Sequence, residues 1–135
     1  MVCYSLLHEL LTTYYLSGIC VDSEWTYNTL FYYKFPVASS FNGTAMVALQ
    51  GSTGQVYVSA SVQISKTQTA WHQITLHLIL NTSPNSTANN FMVTFDDVDT
   101  AGETINFAMF SLFPPTFNDR ENGMRIDLSN VCNND

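Results

Sequence analysis

The stretch Gln55-Val56-Tyr57-Val58-Ser59-Ala60-Ser61-Val62-Gln63-Ile64 decides the fold. Val56, Val58, Ala60, Val62 and Ile64 occupy one phase of a two-residue period, and Gln55, Tyr57, Ser59, Ser61 and Gln63 occupy the other. Successive side chains of a strand point to opposite faces, so this alternation predicts a half-buried antiparallel strand and not a helix. Tyr57 falls on the outer phase, among hydroxyls and amides. Just upstream, Gly51-Ser52-Thr53-Gly54 is a turn cluster that closes a second apolar run over 44–50.

Working outward, the same period recurs. Trp25, Tyr27, Thr29, Phe31, Tyr33 and Phe35 share a face; Thr26, Asn28, Tyr32 and Lys34 share the other, with Leu30 as its apolar exception, and Pro36 ends the run. Over 71–80, Ile74, Leu76, Leu78 and Leu80 take the inner phase. A polar loop over 81–90 contains Pro84, Phe91, Val93 and Phe95 form a short strand, and the acidic turn Asp96-Asp97-Val98-Asp99 follows. The last strand spans 104–113, through Ile105, Phe107 and Met109. Six short strands separated by Gly, Pro and Asn turns predict an all-β domain, a jelly-roll-like β-sandwich of antiparallel strands. Pro114-Pro115 then breaks the sheet, and 125–128 reads as the start of a helix.

Composition agrees with one folded domain. The 135 residues are 46% hydrophobic and 13% aromatic with only 11% charged, which excludes a disordered chain. Eleven acids face only Lys34, Lys66, Arg120 and Arg125, for a net charge of −7. Binding to nucleic acid or to an anionic membrane surface needs clustered cations, so neither partner is expected. No run approaches the ~18 apolar residues of a membrane span. The segment 1–17 stays unassigned: Leu6-Leu7 and Leu10-Leu11 are apolar, but His8 and Glu9 interrupt them and no Lys or Arg precedes, unlike a good signal peptide.

Cys3, Cys20 and Cys132 lack the CxxC spacing of a zinc site, and their odd count leaves at least one thiol unpaired. Three sequons point towards a secreted, extracellular glycoprotein, with Asn42, Asn81 and Asn85 as glycan acceptors.

The stretch Ser111-Leu112-Phe113-Pro114-Pro115-Thr116-Phe117, followed by Arg120, Asn122-Gly123, Arg125 and Asp127-Leu128, resembles a junction in fungal-type α-L-arabinofuranosidases of glycoside hydrolase family 51. There an N-terminal carbohydrate-binding-module-like sandwich hands over to a catalytic barrel. Gly18-Ile19, Thr26-Tyr27-Asn28-Thr29, Phe31-Tyr32, Val47-Ala48-Leu49 and 71–76 fit the same family. The resemblance covers 18–128 and departs at Ala108, where members often carry an acidic residue after the aromatic. It implies a sandwich over 18–113 and, over 114–135, a linker with the truncated start of a missing barrel. The implied activity is retaining hydrolysis of terminal α-L-arabinofuranosyl groups in hemicellulose or pectin, with two glutamates about 5–5.5 Å apart. Those glutamates lie on a barrel of roughly 200 residues or more, so no catalytic residue is carried over and the chain is expected to be inactive alone.

The remaining residues suggest no second active site. Glu9, Glu24, Glu103 and Glu121 form no pair, His72 and His77 fall on opposite faces of their strand, and no G-x-S-x-G elbow occurs. Asp96, Asp97 and Asp99 lack the glycine and terminal glutamate of an EF-hand, so no metal and no cofactor are expected. Sugar binding uses aromatic faces beside amides and hydroxyls, which makes Tyr57 and Tyr32 the candidate residues and arabinoxylan or arabinan the candidate ligand. Against this stand an ordinary cross-strand aromatic pair and packing against the missing barrel. An autonomous carbohydrate-binding module and a purely structural packing domain are therefore the alternatives to an accessory sandwich. Trp25 and Trp71 are expected to pack into the core.

Overall fold

The strands pair in nested order around one central hairpin. In the computed structural model, which describes residues 2–5, 14–19, 21–38, 42–82, 84, 88–95, 104–116 and 118, the elements are β1 (Val2–Ser5), β2 (Tyr14–Ile19), β3 (Thr26–Lys34), β4 (Asn42–Gly51), β5 (Val56–Ser65), β6 (His72–Ile79), β7 (Asn89–Phe95) and β8 (Thr104–Phe113). β4 pairs with β5, β3 with β6, β2 with β7 and β1 with β8, all antiparallel. Two further pairings, β3 with β8 and β4 with β7, join these hairpins into a first sheet ordered β1-β8-β3-β6 and a second ordered β2-β7-β4-β5. Eight strands in two sheets with this winding make a jelly roll. The expected all-β sandwich is therefore the observed fold.

The central hairpin turns at Gly51-Ser52-Thr53-Gly54. The Gly51 amide donates to the Gln55 carbonyl at 2.8 Å and the Gly54 amide to the Gly51 carbonyl at 3.0 Å. Gly54 sits at φ 90, where a Cβ would be strained, and the Gln50 side-chain amide donates to its carbonyl at 2.8 Å.

The core is the space between the sheets. Tyr27, Phe31, Tyr33 and Phe107 of the first sheet meet Val47, Leu49, Ile64, Phe91, Val93 and Phe95 of the second. Phe95 and Phe107 pack across the gap with ring centroids 5.7 Å apart. Buried tyrosines tie the rims together because a phenol carries a polar tip on an apolar body. The Tyr27 hydroxyl accepts from the Asp22 amide at 2.7 Å, and the Tyr33 hydroxyl of the first sheet accepts from the Ser65 amide of the second.

Several sequence expectations are corrected here. The segment 1–17, left unassigned, supplies β1 and most of β2, an edge strand for each sheet. The polar loop over 81–90 ends early, because β7 begins at Asn89. Tyr57 is wholly buried and does not face outward. The pairing shifts between Leu49↔Val58 and Gln50↔Val56, so Tyr57 is the additional residue of a bulge and the phase of β5 changes there. Val56 takes the outer position instead.

Met109 leaves the simple alternation of its strand for the same reason. Leu30 pairs with Ser111 and Tyr32 with Ala108, which leaves Met109 and Phe110 together opposite Phe31. Met109 adopts φ 55 and is exposed, while Phe110 turns inward and stacks on Phe31 at 5.5 Å and on Phe107 at 5.7 Å. Trp71 also differs: it is exposed at the entrance of β6, with the Lys34 ammonium 4.7 Å from its ring. Trp25 packs against the core as expected. The acidic turn 96–99 and the helix start at 125–128 lie outside the described residues.

Candidate functional site

The outer face of the first sheet is built by the even positions of β3 and the odd positions of β6. Cross-strand register aligns Tyr32 with Gln73, Leu30 with Thr75, Asn28 with His77 and Thr26 with Ile79. On the other side of β3, Asn28 aligns with Phe113 and Leu30 with Ser111.

Tyr32 is half-buried on this face, and its hydroxyl donates to Gln73 Oε1 at 2.6 Å. Gln73 Nε2 donates in turn to Thr75 Oγ1 at 3.1 Å. One row on, His77 Nδ1 and Asn28 Oδ1 are hydrogen-bond partners at 2.5 Å. His72 lies on the opposite side of its strand, with its ring edge-on to Tyr33 at 5.5 Å. The two histidines are separated by the sheet, as the spacing implied.

Of the sequence-predicted sugar contacts, only Tyr32 is on an accessible face. The Tyr57 hydroxyl instead donates to the buried Asn89 Oδ1 at 3.1 Å inside the sandwich. Trp71, which the sequence reading placed in the core, stands beside Tyr32's strand and is the aromatic that reading missed. Its position one residue before β6, on the parity of Gln73, was the available signal.

The outer face of the second sheet is chemically different. Thr44, Ser59, Ser61 and Gln63 stand exposed there with Met46. Among the acceptor asparagines, Asn42 is exposed at the start of β4, and its Oδ1 accepts from Gln63 Nε2 at 2.8 Å. Asn81 is exposed just after β6, with its amide donating to the Tyr57 carbonyl. β4 begins opposite Ser65 and Asn81 bonds beside Val56, so these two sequons mark opposite ends of β5. Asn85 lies outside the described residues.

Among the described residues the carboxylates form no pair. Glu24 is exposed in the turn before β3, its amide bonded to Asp22 Oδ1 at 2.9 Å. Among the described residues no three of His, Cys, Asp or Glu group together as metal ligands would.

Known proteins share this arrangement. No protein-family model matches the chain. A probable α-L-arabinofuranosidase A of Emericella nidulans is 32% identical over 114 residues, 84% of this chain and 19% of that protein. The α-L-arabinofuranosidase A of Aspergillus kawachii is 30% identical over 115 residues, again 84% of this chain but 17% of the relative. An arabinose-bound GH51 α-L-arabinofuranosidase of known structure superposes with a TM-score of 0.86 and 42% identity, covering 96% of this chain and 21% of that one. The chain thus spans about one fifth of the length of the relatives it matches. By sequence and by fold together, it corresponds to the N-terminal β-sandwich domain of glycoside hydrolase family 51 α-L-arabinofuranosidases.

Proposed function

We propose that the chain acts as the accessory sandwich of an α-L-arabinofuranosidase that removes terminal α-L-arabinofuranosyl groups from hemicellulose or pectin. The observation that carries this reading is the 42% identity sustained through 96% of the chain in one shared fold. Retaining hydrolysis of such a bond requires two carboxylates about 5–5.5 Å apart. The described sandwich offers Glu24 in a solvated turn and builds no such pair. In this reading catalysis belongs to the other part of such an enzyme, and this part contributes structure or binding. The exposed sequon asparagines Asn42 and Asn81 support a secreted, glycosylated protein.

The test is a domain exchange. This sandwich, placed in the arabinose-bound relative instead of the matching segment, should give a soluble enzyme that releases p-nitrophenol from an aryl α-L-arabinofuranoside. The isolated chain should release none. An inactive exchange beside an active parent, or activity of the isolated chain, would overturn the reading.

A second reading, a carbohydrate-binding module for arabinoxylan or arabinan, is favoured by one observation. Trp71 is 40% exposed at the end of the face on which Tyr32 and Gln73 bond each other, so an aromatic surface stands beside amide and hydroxyl groups. Affinity electrophoresis on either polysaccharide tests it. Retardation abolished by Tyr32→Ala or Trp71→Ala supports the module, and migration unchanged by the polysaccharide rules it out.

A further inference from the structure

Where β6 enters the first sheet, its outer face carries a cation held on an indole. Lys34 is the last residue of β3, half-buried on the outward parity, and Asn106 of β8 is its register partner. On the other side of the strand the Lys34 ammonium lies over the Trp71 ring, 4.7 Å from its centroid. The next outward row along β3 holds Tyr32 and Gln73, joined by their 2.6 Å hydrogen bond, and Gln73 Nε2 carries the chain on to Thr75. We infer that this end of the face binds the carboxylate of a uronate sugar within a polysaccharide. Lys34 takes the charge, and the Tyr32–Gln73–Thr75 chain takes neighbouring ring hydroxyls. The inference deepens the carbohydrate-binding reading and rests on it.

Three observations select an anionic sugar over a neutral one. The first is the ring contact itself. With the ammonium over it, that face of the indole is not bare for a neutral sugar to stack on. The contact instead holds a flexible side chain in place before a ligand arrives, which lowers the entropy lost on binding. The second is the state of the charge. Lys34 is the sole Lys, Arg, Asp or Glu in the four strands of this sheet. The described carboxylates, Asp22 and Glu24, precede the opposite end of β3, so among the described residues no acid neutralises it. An ammonium carries three N–H donors, which a carboxylate accepts as strong, charge-assisted bonds. The third is the adjoining polar chain. The Tyr32 oxygen can still accept and the Thr75 hydroxyl can still donate, a mixture that matches sugar hydroxyls, which do both. The net charge of −7 opposes any anion at long range, but physiological salt screens it beyond about 8 Å, so the contact at Lys34 decides.

The experiment is a calorimetric titration of the chain with an arabinoxylan that bears glucuronic acid, and with the same polymer after its carboxylates are reduced to primary alcohols. The charged polymer should half-saturate at about a two- to fivefold lower concentration, the size expected of one partly exposed charge pair. High salt should erase that difference. Lys34→Gln should erase it too, and Lys34→Arg should keep it. Lys66→Gln, the same change of net charge in the turn after β5, should leave it intact. Equal or weaker binding of the charged polymer, a comparison that needs no variant, overturns the inference and leaves the carbohydrate-binding reading standing. Binding of neither polymer sinks both. If Lys66→Gln erases the difference as Lys34→Gln does, overall charge and not this site is responsible, and the inference fails. If polyglutamate competes as well as the charged polymer at equal carboxylate concentration, the site reads charge alone and the sugar assignment is overturned.

Discussion

The Tyr57 hydroxyl donates a 3.1 Å hydrogen bond to Asn89 Oδ1, and both side chains are wholly buried between the sheets. Asn89 is the first residue of β7 and Tyr57 lies near the start of β5, separated in the second sheet by β4. The bond therefore bridges two strands that are not neighbours, and it accounts for a polar amide in an apolar core.

Tyr57→Phe removes the hydroxyl that donates to this buried amide oxygen. The expected loss is about 1–3 kcal/mol of unfolding free energy, measured by urea denaturation. Tyr57→Ala should cost more, about 3–5 kcal/mol, because it also empties an aromatic site. A Tyr57→Ala protein as stable as the parent would contradict the bulge that turns this ring inward.

Met109 sits at φ 55, a conformation that costs an L-residue roughly 1–2 kcal/mol and costs glycine almost nothing. Met109→Gly should therefore raise the denaturation midpoint or leave it unchanged despite the loss of a side chain. Met109→Val, with a branched Cβ, should lower it by about 1 kcal/mol or more. Stabilisation by valine would show that the strand runs straight through this position.

The same bulge separates two aromatic neighbours by phase. Phe107 is buried against Phe31 and Phe95, while Phe113 is half exposed on the outer face. Phe107→Ala is expected to cost about 3–5 kcal/mol, enough to unfold a marginal domain. Phe113→Ala in the isolated chain should stay within about 0.5 kcal/mol of the parent. Equal losses at the two sites would contradict the register of β8.

Expression through a eukaryotic secretory pathway should add N-glycans at Asn42 and Asn81. Treatment with an amide-cleaving glycosidase should then increase gel mobility, and Asn42→Gln and Asn81→Gln should each remove one step of that shift. Secretion of a protein whose mobility does not change on treatment would exclude both acceptors.

Strong alternation was legible where strand pairing is regular. Tyr27, Phe31, Tyr33 and Phe35 were placed inward from the two-residue period alone, and all are buried. Ile64 and Leu78 are buried as well, and so are Phe91, Val93, Phe95, Ile105 and Phe107, which alternate along the strands expected of them. Of the candidate sugar contacts, Tyr32 kept its outward position, and Tyr57 did not. Trp71 escaped because a residue at a strand entrance has no partner row to fix its direction.

By itself, then, the sequence determined that extended segments with one apolar phase must stack as two sheets, because side-chain alternation is a property of each strand alone. Tertiary structure decided the rest. An extra residue in one strand shows itself only against its partner, so the reversals at Tyr57 and Met109 followed from pairing with β4 and β3. Pairing also drew 2–5 and 14–19 into the sheets as edge strands, and it placed Leu30, Ile79 and Phe113, far apart along the chain, on one outward face.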